Sequence, residues 1–445
     1  MNRHRLHLHA LPALAAAALL ALAGCGGGGD DNGGGGSSTT SGSSDVSGSV
    51  SVVGIWTGDE QKSFQAVIDK FNESYPNVKV KYTSAGDNVP TVVGTAVEGG
   101  NPPDIATIAQ PGLIREFQQK GALKPIDYVR STLEENYPED LVRLGQIDGK
   151  LYTFVFKGAN KSTVWYNVSA FRNAGVEAPS TWDDFLRDGR TLKASGVPAY
   201  AIGGSDGWPL TDLFENIYLR QAGPDKYDQL AEHRIKWTDP SVREALRTMA
   251  QILSDKSNLD GRTAASQIEF TKSVEDVFQD PPRAAQVIEG DFVPGVVATK
   301  TKLRAGTGYD VFPFPSLGSG GSNVVVGGGD SITVFKDTPA VRAFVRFLAT
   351  PEAAQTWAAR GGFSSPNRGV EDSTYPDDIT RTVATALADA ETFRFDMSDL
   401  APAAFGGTPG QGEWKILQDF ASNPSDVNGT ASKLEAAAAR AYGQG

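Results

Sequence analysis

From Val50 onward the apolar residues switch repeatedly between the two-residue period of a strand and the 3.6-residue period of a helix. A chain patterned in this way can bury both kinds of element only by layering helices on a sheet, so the pattern restricts it to an α/β architecture. Val50, Val52, Val53 and Ile55 form a strand that runs into Trp56-Thr57-Gly58-Asp59-Glu60. Phe64, Val67, Ile68 and Phe71 then fall on one helix face, with Thr57 and Glu60 in the spacing of a capping box and Pro76 as the stop. Val78–Tyr82 alternates as a strand, Val89–Val97 reads as a helix, Pro102–Ile108 as a third strand, and Leu113, Ile114 and Phe117 as a helix closed by Gly121. This order predicts a mainly parallel sheet whose ligand crevice lies beyond the strand C-termini, at Trp56–Glu60 and Ala109–Gln110.

A second rhythm starts near Ser162. Thr163–Tyr166, Pro198–Ile202, Ala284–Ile288 and Ser331–Phe335 read as strands. Helices are expected to open at Ser180–Phe185 and to run through Leu210, Leu213, Phe214 and Ile217, through Val242–Leu253, and through Val341–Leu348. Two α/β domains fit the pattern better than one, and no internal repeat suggests a solenoid.

The first 49 residues have a different character. Arg3 and Arg5 precede an apolar run, Leu11–Leu22, of about a dozen residues, shorter than the roughly 20 that cross a bilayer and suited to a signal peptide. It ends in Leu22-Ala23-Gly24-Cys25, which resembles the bacterial lipobox, and Cys25 is the only cysteine. The expectation is a signal peptide over 1–24 and a lipidated Cys25. Residues 26–49, nearly all Gly, Ser, Thr and Asp, then form a tether reaching some 25–30 Å. The protein is then expected outside the cytoplasm, held to the membrane through that lipid.

Composition removes whole classes of chemistry. With 53 acidic residues against 41 basic ones and a net charge of −12, the chain has no basic stretch to follow a phosphate backbone. His4, His7 and His9 fall in the expected leader, leaving His233 as the one histidine of the mature chain. Cys/His metal sites, disulfides and Cys–His nucleophile pairs therefore have no residues to build them, and no metal or cofactor is expected. No phosphate-binding Gly-x4-Gly-Lys-[Ser/Thr] motif occurs. Gly203-Gly204-Ser205-Asp206-Gly207 does match the Gly-x-Ser-x-Gly elbow of serine hydrolases, with His233 as its only available base. A ligand-approach loop explains the same glycines. A glycosidase would need only two carboxylates, so a secreted, lipid-anchored hydrolase is the alternative to a binding protein.

The remaining signal is that of a sugar site. Aromatic faces receive the apolar side of a sugar ring, while carboxylates, amides and ammonium groups take its hydroxyls. Trp56, Trp208, Phe292, Phe363 and Trp414 stand among Gly, Asp and Asn in expected loops, whereas Trp165, Trp182, Trp237 and Trp357 sit in or beside regular elements. Each of the first five can equally be a partly buried wedge or a ligand platform, and the other four read as structural.

At this point the chain resembles the family 1 extracellular solute-binding proteins of ABC importers, which bind carbohydrates. Phe64–Tyr82 is similar to the family's opening, Pro102-Pro103-Asp104-Ile105 to its third strand, and Gly121–Ile126 to the segment that follows. Gly149–Lys157 with Val164–Asn167, and Thr181–Phe185, match further motifs in family order, although Val155 stands where many members carry Pro. Gly327–Asp330, Thr350–Ala354, Arg360–Asn367 and Thr392–Asp396 resemble the α-glucoside branch. The resemblance implies a two-lobed, type II periplasmic-binding-protein fold with a hinge and a sugar between the lobes. The first lobe would comprise 50–158 and about 325–366, the second 160–315 and about 367–445. It also implies a monomer that performs no chemistry and hands an oligosaccharide or α-glucoside to a membrane permease.

Candidate ligand contacts follow from position. Trp56, Asp59, Glu60 and Gln110 lie at strand ends of the first lobe; Lys157, Trp208, Glu289, Asp291 and Phe292 face them; Asp330, Phe363 and Arg394 complete the set. For Asp59 and Glu60, stabilisation of the helix N-terminus is an equally good reading.

Overall fold

The computed structural model describes residues 45–259, 265–318, 324–388 and 390–443; the expected signal peptide, Cys25 and the tether up to residue 44 lie outside them. Strands β1 (Gly48–Gly54) and β2 (Val78–Ser84) pair in parallel along their whole length, and β3 (Ile105–Ile108) joins β1 on its other edge. After a small hairpin, β4 (Gln146–Ile147) with β5 (Lys150–Leu151), come β6 (Thr153–Asn160), β7 (Thr163–Asn167), β8 (Tyr200–Ala201), β9 (Gln286–Ile288), β10 (Tyr309–Pro313), β11 (Val324–Val334) and β12 (Thr392–Phe395). They form two sheets. One has the order β12-β11-β3-β1-β2 with β6 also on β11, and the other the order β10-β7-β9-β8.

The first helix, Gly58–Ser74, buries Phe64, Val67, Ile68 and Phe71 as their spacing predicts. Full burial of each such side chain is worth about 1.5–3 kcal/mol. They pack with Trp56, Phe344 and Trp357 into the core of the first lobe. The capping box does not form. Thr57 is the N-cap, but its side chain makes no capping bond, and Glu60 pairs instead with Lys157 at 3.1 Å.

Two other expectations change. The parallel order of the early strands does not extend to the second sheet, where β7 pairs antiparallel with both β10 and β9. And β11 begins seven residues before Ser331, taking in the glycines Gly327–Gly329. A Cβ at Gly329 would lie 2.4 Å from Val155 and 2.9 Å from the Lys157 carbonyl, so the missing side chain is what lets β6 lie against β11.

The chain crosses between sheets at Lys161–Ser162, again between Pro313 and Val324, and again after Phe395. Strand β12, within the stretch expected in the second lobe, pairs with β11 in the first sheet, so the last return begins at Asp396. At these crossings the buried Lys161 ammonium holds Asp396 of the third crossing at 2.5 Å and Asp212 of the second-lobe helix Trp208–Ala222 at 3.0 Å.

Candidate functional site

Between the two sheets lies a cavity of about 280 Å³. Its first wall is the end of β1 with the turn into the first helix, the end of β3, and the bulged pairing of β6 on β11. Lys157 lies opposite Asp330 in that pairing, and the register slips by one residue beside them. A bulge of this kind re-aims side chains, and here it accompanies Lys157 and Asp330 in the cavity wall. The second wall is Asp206 and Trp208 at the start of a helix, Phe270, Phe292, and Trp414.

Eight of the twelve expected contacts line this cavity: Trp56, Asp59, Glu60, Gln110, Lys157, Trp208, Phe292 and Asp330. Trp56 is only 1% exposed, its ring 4.6 Å from Phe64 and 4.8 Å from Trp357, and its indole N–H donates to Asp330 at 2.6 Å. It is therefore both core wedge and the clamp on a cleft carboxylate. Across the cavity Trp208, Phe270 and Phe292 meet edge to face or tilted, with centroids 5.2–5.7 Å apart. Lys157 stands 5.4 Å from the Phe292 ring and Lys161 5.9 Å from the Trp208 ring, so each ammonium meets an aromatic face.

The other four expected contacts lie elsewhere. Phe363 is packed against Trp357 and Phe156 at 5.2 and 5.6 Å in the first-lobe core. Glu289 is buried at the end of β9, outside the cavity lining. Asp291 accepts the backbone N–H of Asn160 at 2.9 Å and the Ser364 hydroxyl, which ties the second lobe to the end of β6. Arg394 points outward and donates to Asp228 at 2.6 Å.

Several lining residues were not among the expected contacts: Asp87, Lys161, Asp206, Phe270, Asp399 and Trp414. Trp414 stands in the helix Gly412–Ser422, not in a loop, and packs over Gly207, where a Cβ would lie 2.7 Å from it. Gly207 also has φ +88°, which only glycine adopts readily. Here the glycines of the Gly203–Gly207 stretch find their role. The hydrolase pairing does not assemble, since Ser205 bonds its neighbour Asp206 and His233 pairs with Glu435 at 3.3 Å.

The electrostatics are dominated by burial. For Lys157 burial opposes the charge, but Glu60, Asp330 and Asp291 outweigh it and hold its pKa above the ordinary lysine value. Burial raises Glu60, with Lys157 pulling it back. Lys161 is likewise held well above its usual value, against burial, by Asp212, Asp396 and Asp399. Burial pushes Asp399 up, Asp396 pushes it further, and a hydrogen bond from Gln110 opposes them. Asp87 is pushed up to about 7, by burial and then by Asp206, while a hydrogen bond from Trp208 opposes the shift. No cluster that could hold a metal ion occurs among the described residues.

Aromatic faces on one wall and hydrogen-bonding carboxylate, amide and ammonium groups on both give the cavity the means to hold a polyhydroxylated ring. The family of bacterial extracellular solute-binding proteins matches residues 56–355. The chain is 31% identical over 395 residues to the alpha-glucosides-binding periplasmic protein AglE of Rhizobium meliloti, spanning 85% of each. It is 30% identical over 364 residues to the osmoprotective compounds-binding protein GgtB of Synechocystis, covering 80% of this chain and 85% of that one. Among solved structures, a chitin oligosaccharide binding protein superposes with a TM-score of 0.76 at 21% identity, over 89% of this chain and 99% of that one. The raffinose complex of RafE gives 0.72 at 18%, over 88% and 98%. These two likenesses establish the two-lobed fold.

Proposed function

The chain belongs to the bacterial extracellular solute-binding proteins, and we propose from this that it captures an oligosaccharide or α-glucoside between its lobes by hinge closure and delivers it to an ABC permease. One observation carries the reading: a single cavity draws Trp208 and Phe292 from one lobe, and Gln110, Lys157 and Asp330 from the other. A sugar touching both walls binds the closed arrangement better than the open one and shifts the equilibrium by that difference. The permease then reads the closed shape. The eight lining residues are the proposed contacts, and Cys25 is the proposed lipid anchor of a monomer. The lobes are proposed as 50–158 with about 325–395, and 160–315 with 396–445, joined at the three crossings.

The test is a thermal-shift screen of the full chain against maltose, sucrose, trehalose, raffinose and chitobiose, with product analysis of every hit. A sugar at 100 times its Kd stabilises the protein by about 2.7 kcal/mol. Silence across neutral sugars refutes the sugar reading, and turnover refutes the receptor reading.

A further inference from the structure

The second-lobe helix Trp208–Ala222 is buried along most of its length, packed into the core by Leu210, Leu213, Phe214, Ile217, Tyr218 and Leu219. Four polar side chains interrupt that packing: Asp212, Glu215, Asn216 and Arg220, each no more than 3% exposed. Their spacing of three and four residues puts them on one face of the helix. Such groups are costly to bury unless their partners are well placed. Here every one of the four bonds to an interlobe crossing.

At the first crossing Asp212 pairs with the Lys161 ammonium at 3.0 Å, the Asn216 amide donates to the Lys161 carbonyl at 2.9 Å, and its oxygen accepts the Ser162 hydroxyl at 2.5 Å. At the second, Arg220 donates to the Val324 carbonyl at 2.6 Å, and its guanidinium lies 4.8 Å from the ring of Phe314 at the other end of that crossing. At the third, the two oxygens of Glu215 accept the Met397 and Ser398 N–H groups at 2.8 and 3.0 Å. The first two crossings are also bonded to each other, Lys161 N–H to the Val326 carbonyl at 3.0 Å and Phe314 N–H to the Ser162 carbonyl at 2.8 Å.

The helix that collects these bonds begins in the cleft. Its first residue, Trp208, lines the cavity against Phe270 and Phe292, whereas Glu215, Asn216 and Arg220 do not line it. At 1.5 Å per residue, Arg220 stands about 18 Å along the axis from Trp208. An apolar stripe could bury the same face, but it would let the crossings slide; directional bonds specify one placement.

We propose that Glu215, Asn216 and Arg220 are positioning residues of the ligand site: through this helix they hold the three crossings in register with Trp208, and so set where its ring stands relative to the facing wall. The proposal deepens the sugar-receptor reading and rests on it. Sugar affinity then depends on side chains that touch no sugar.

The experiment is calorimetric titration of the full chain with the tightest-binding of maltose, sucrose, trehalose, raffinose and chitobiose, beside urea unfolding of each variant. Asn216→Ala and Arg220→Met are expected to bind about tenfold more weakly. Arg220→Lys keeps a donor for the Val324 carbonyl and is expected to bind within about threefold of the parent. Ser162→Ala removes only the hydroxyl shared by Asn216 and the Val326 N–H, and is expected to lose about three- to fivefold, which keeps the test decisive if the stronger variants do not fold. Leu192→Ala, a buried apolar position of the same lobe on the helix Trp182–Ala194, is expected to lose stability yet bind within about twofold of the parent. In a Trp208→Ala background Asn216→Ala is expected to cost less than about threefold, because the ring it positions is gone. Parental affinity in Ser162→Ala and the helix variants, an equal loss in Leu192→Ala, or the full effect of Asn216→Ala without the Trp208 ring overturns the proposal and leaves the receptor reading standing. Absence of binding of all five sugars by the parent overturns both.

Discussion

Lys161→Met removes an ammonium that joins two of the crossings to the second lobe, while keeping most of the side chain's volume. Lys161 is 10% exposed, and its partners Asp212, Asp396 and Asp399 are 5%, 0% and 7% exposed, so solvent has little access to the charges left behind. Losing one partner of a buried pair costs about 3–5 kcal/mol, and three acids are stranded here. Some of that cost is avoidable, because Asp212 and Asp399 already have raised pKa values and can take up protons. The lower end, about 3 kcal/mol at pH 7, is therefore expected from equilibrium urea unfolding. In the parent protein Lys161 stays charged, since its raised pKa lies above the range; the Asp396 carboxylate, held below its ordinary value, loses its charge only in strong acid. The pair therefore contributes throughout pH 5–8. In the variant the folded state holds extra protons on the acids, so its stability falls as pH rises. The deficit is accordingly smaller at pH 5 than at pH 8. Adding Asp396→Asn to Lys161→Met is expected to return at least 1 kcal/mol at pH 7, because the amide can still accept from the Ser398 hydroxyl and the Asp399 N–H that now hold Asp396. A loss below 1 kcal/mol, a deficit independent of pH, or no recovery in the double variant would refute the view that Lys161 is the electrostatic pin of the hinge.

Trp208→Ala removes the aromatic face nearest the crossing and is expected to weaken sugar binding by about 2 kcal/mol, near thirtyfold, in calorimetry. Asp330→Ala should cost about 1.5–3 kcal/mol of sugar affinity, the range for a hydrogen bond to a charged group. Asp291→Ala is expected to lower unfolding stability instead, since its carboxylate serves Asn160 and Ser364; parental stability in that variant would count against this assignment. Cys25→Ser should move the protein from the membrane fraction to the soluble one, and an unchanged distribution would exclude lipidation as its anchor.

Much of the first lobe was legible because it is built from local rules. Phe64, Val67, Ile68 and Phe71 could share only one helix face, and Pro76 lies just beyond the helix end at Ser74. Non-local pairing was harder to see. Gly327–Gly329 were left outside the expected strand Ser331–Phe335, since glycine is poor in strands, yet they lie within an eleven-residue strand. Their lack of side chains answers a demand from β6, far away in sequence, that no local window contains. Thr57 and Glu60 show the same limit: the spacing suited a capping box, but Lys157 offered Glu60 an ionic partner from another strand.

The cleft divides along the same line. Residues at the ends of the first-lobe strands were found because strand ends of an α/β sheet form a crevice, whatever the side chains. Lys161 was within reach of a similar argument, since Lys157, Ala159 and Lys161 alternate along β6 and just past its end, and all three line the cavity. What period alone could not show is that the two lysines divide their work: one pairs with Glu60 in the wall, the other with Asp396 at a crossing. Phe363 misled for the converse reason. It stands beside glycines and serines as a ligand platform would, but the chain returns it to Trp357 and Phe156, where an aromatic core had a place for one more ring. Here the first-lobe core took Trp56 and Phe363, and Trp208 and Phe292 were left to form a wall of the cleft.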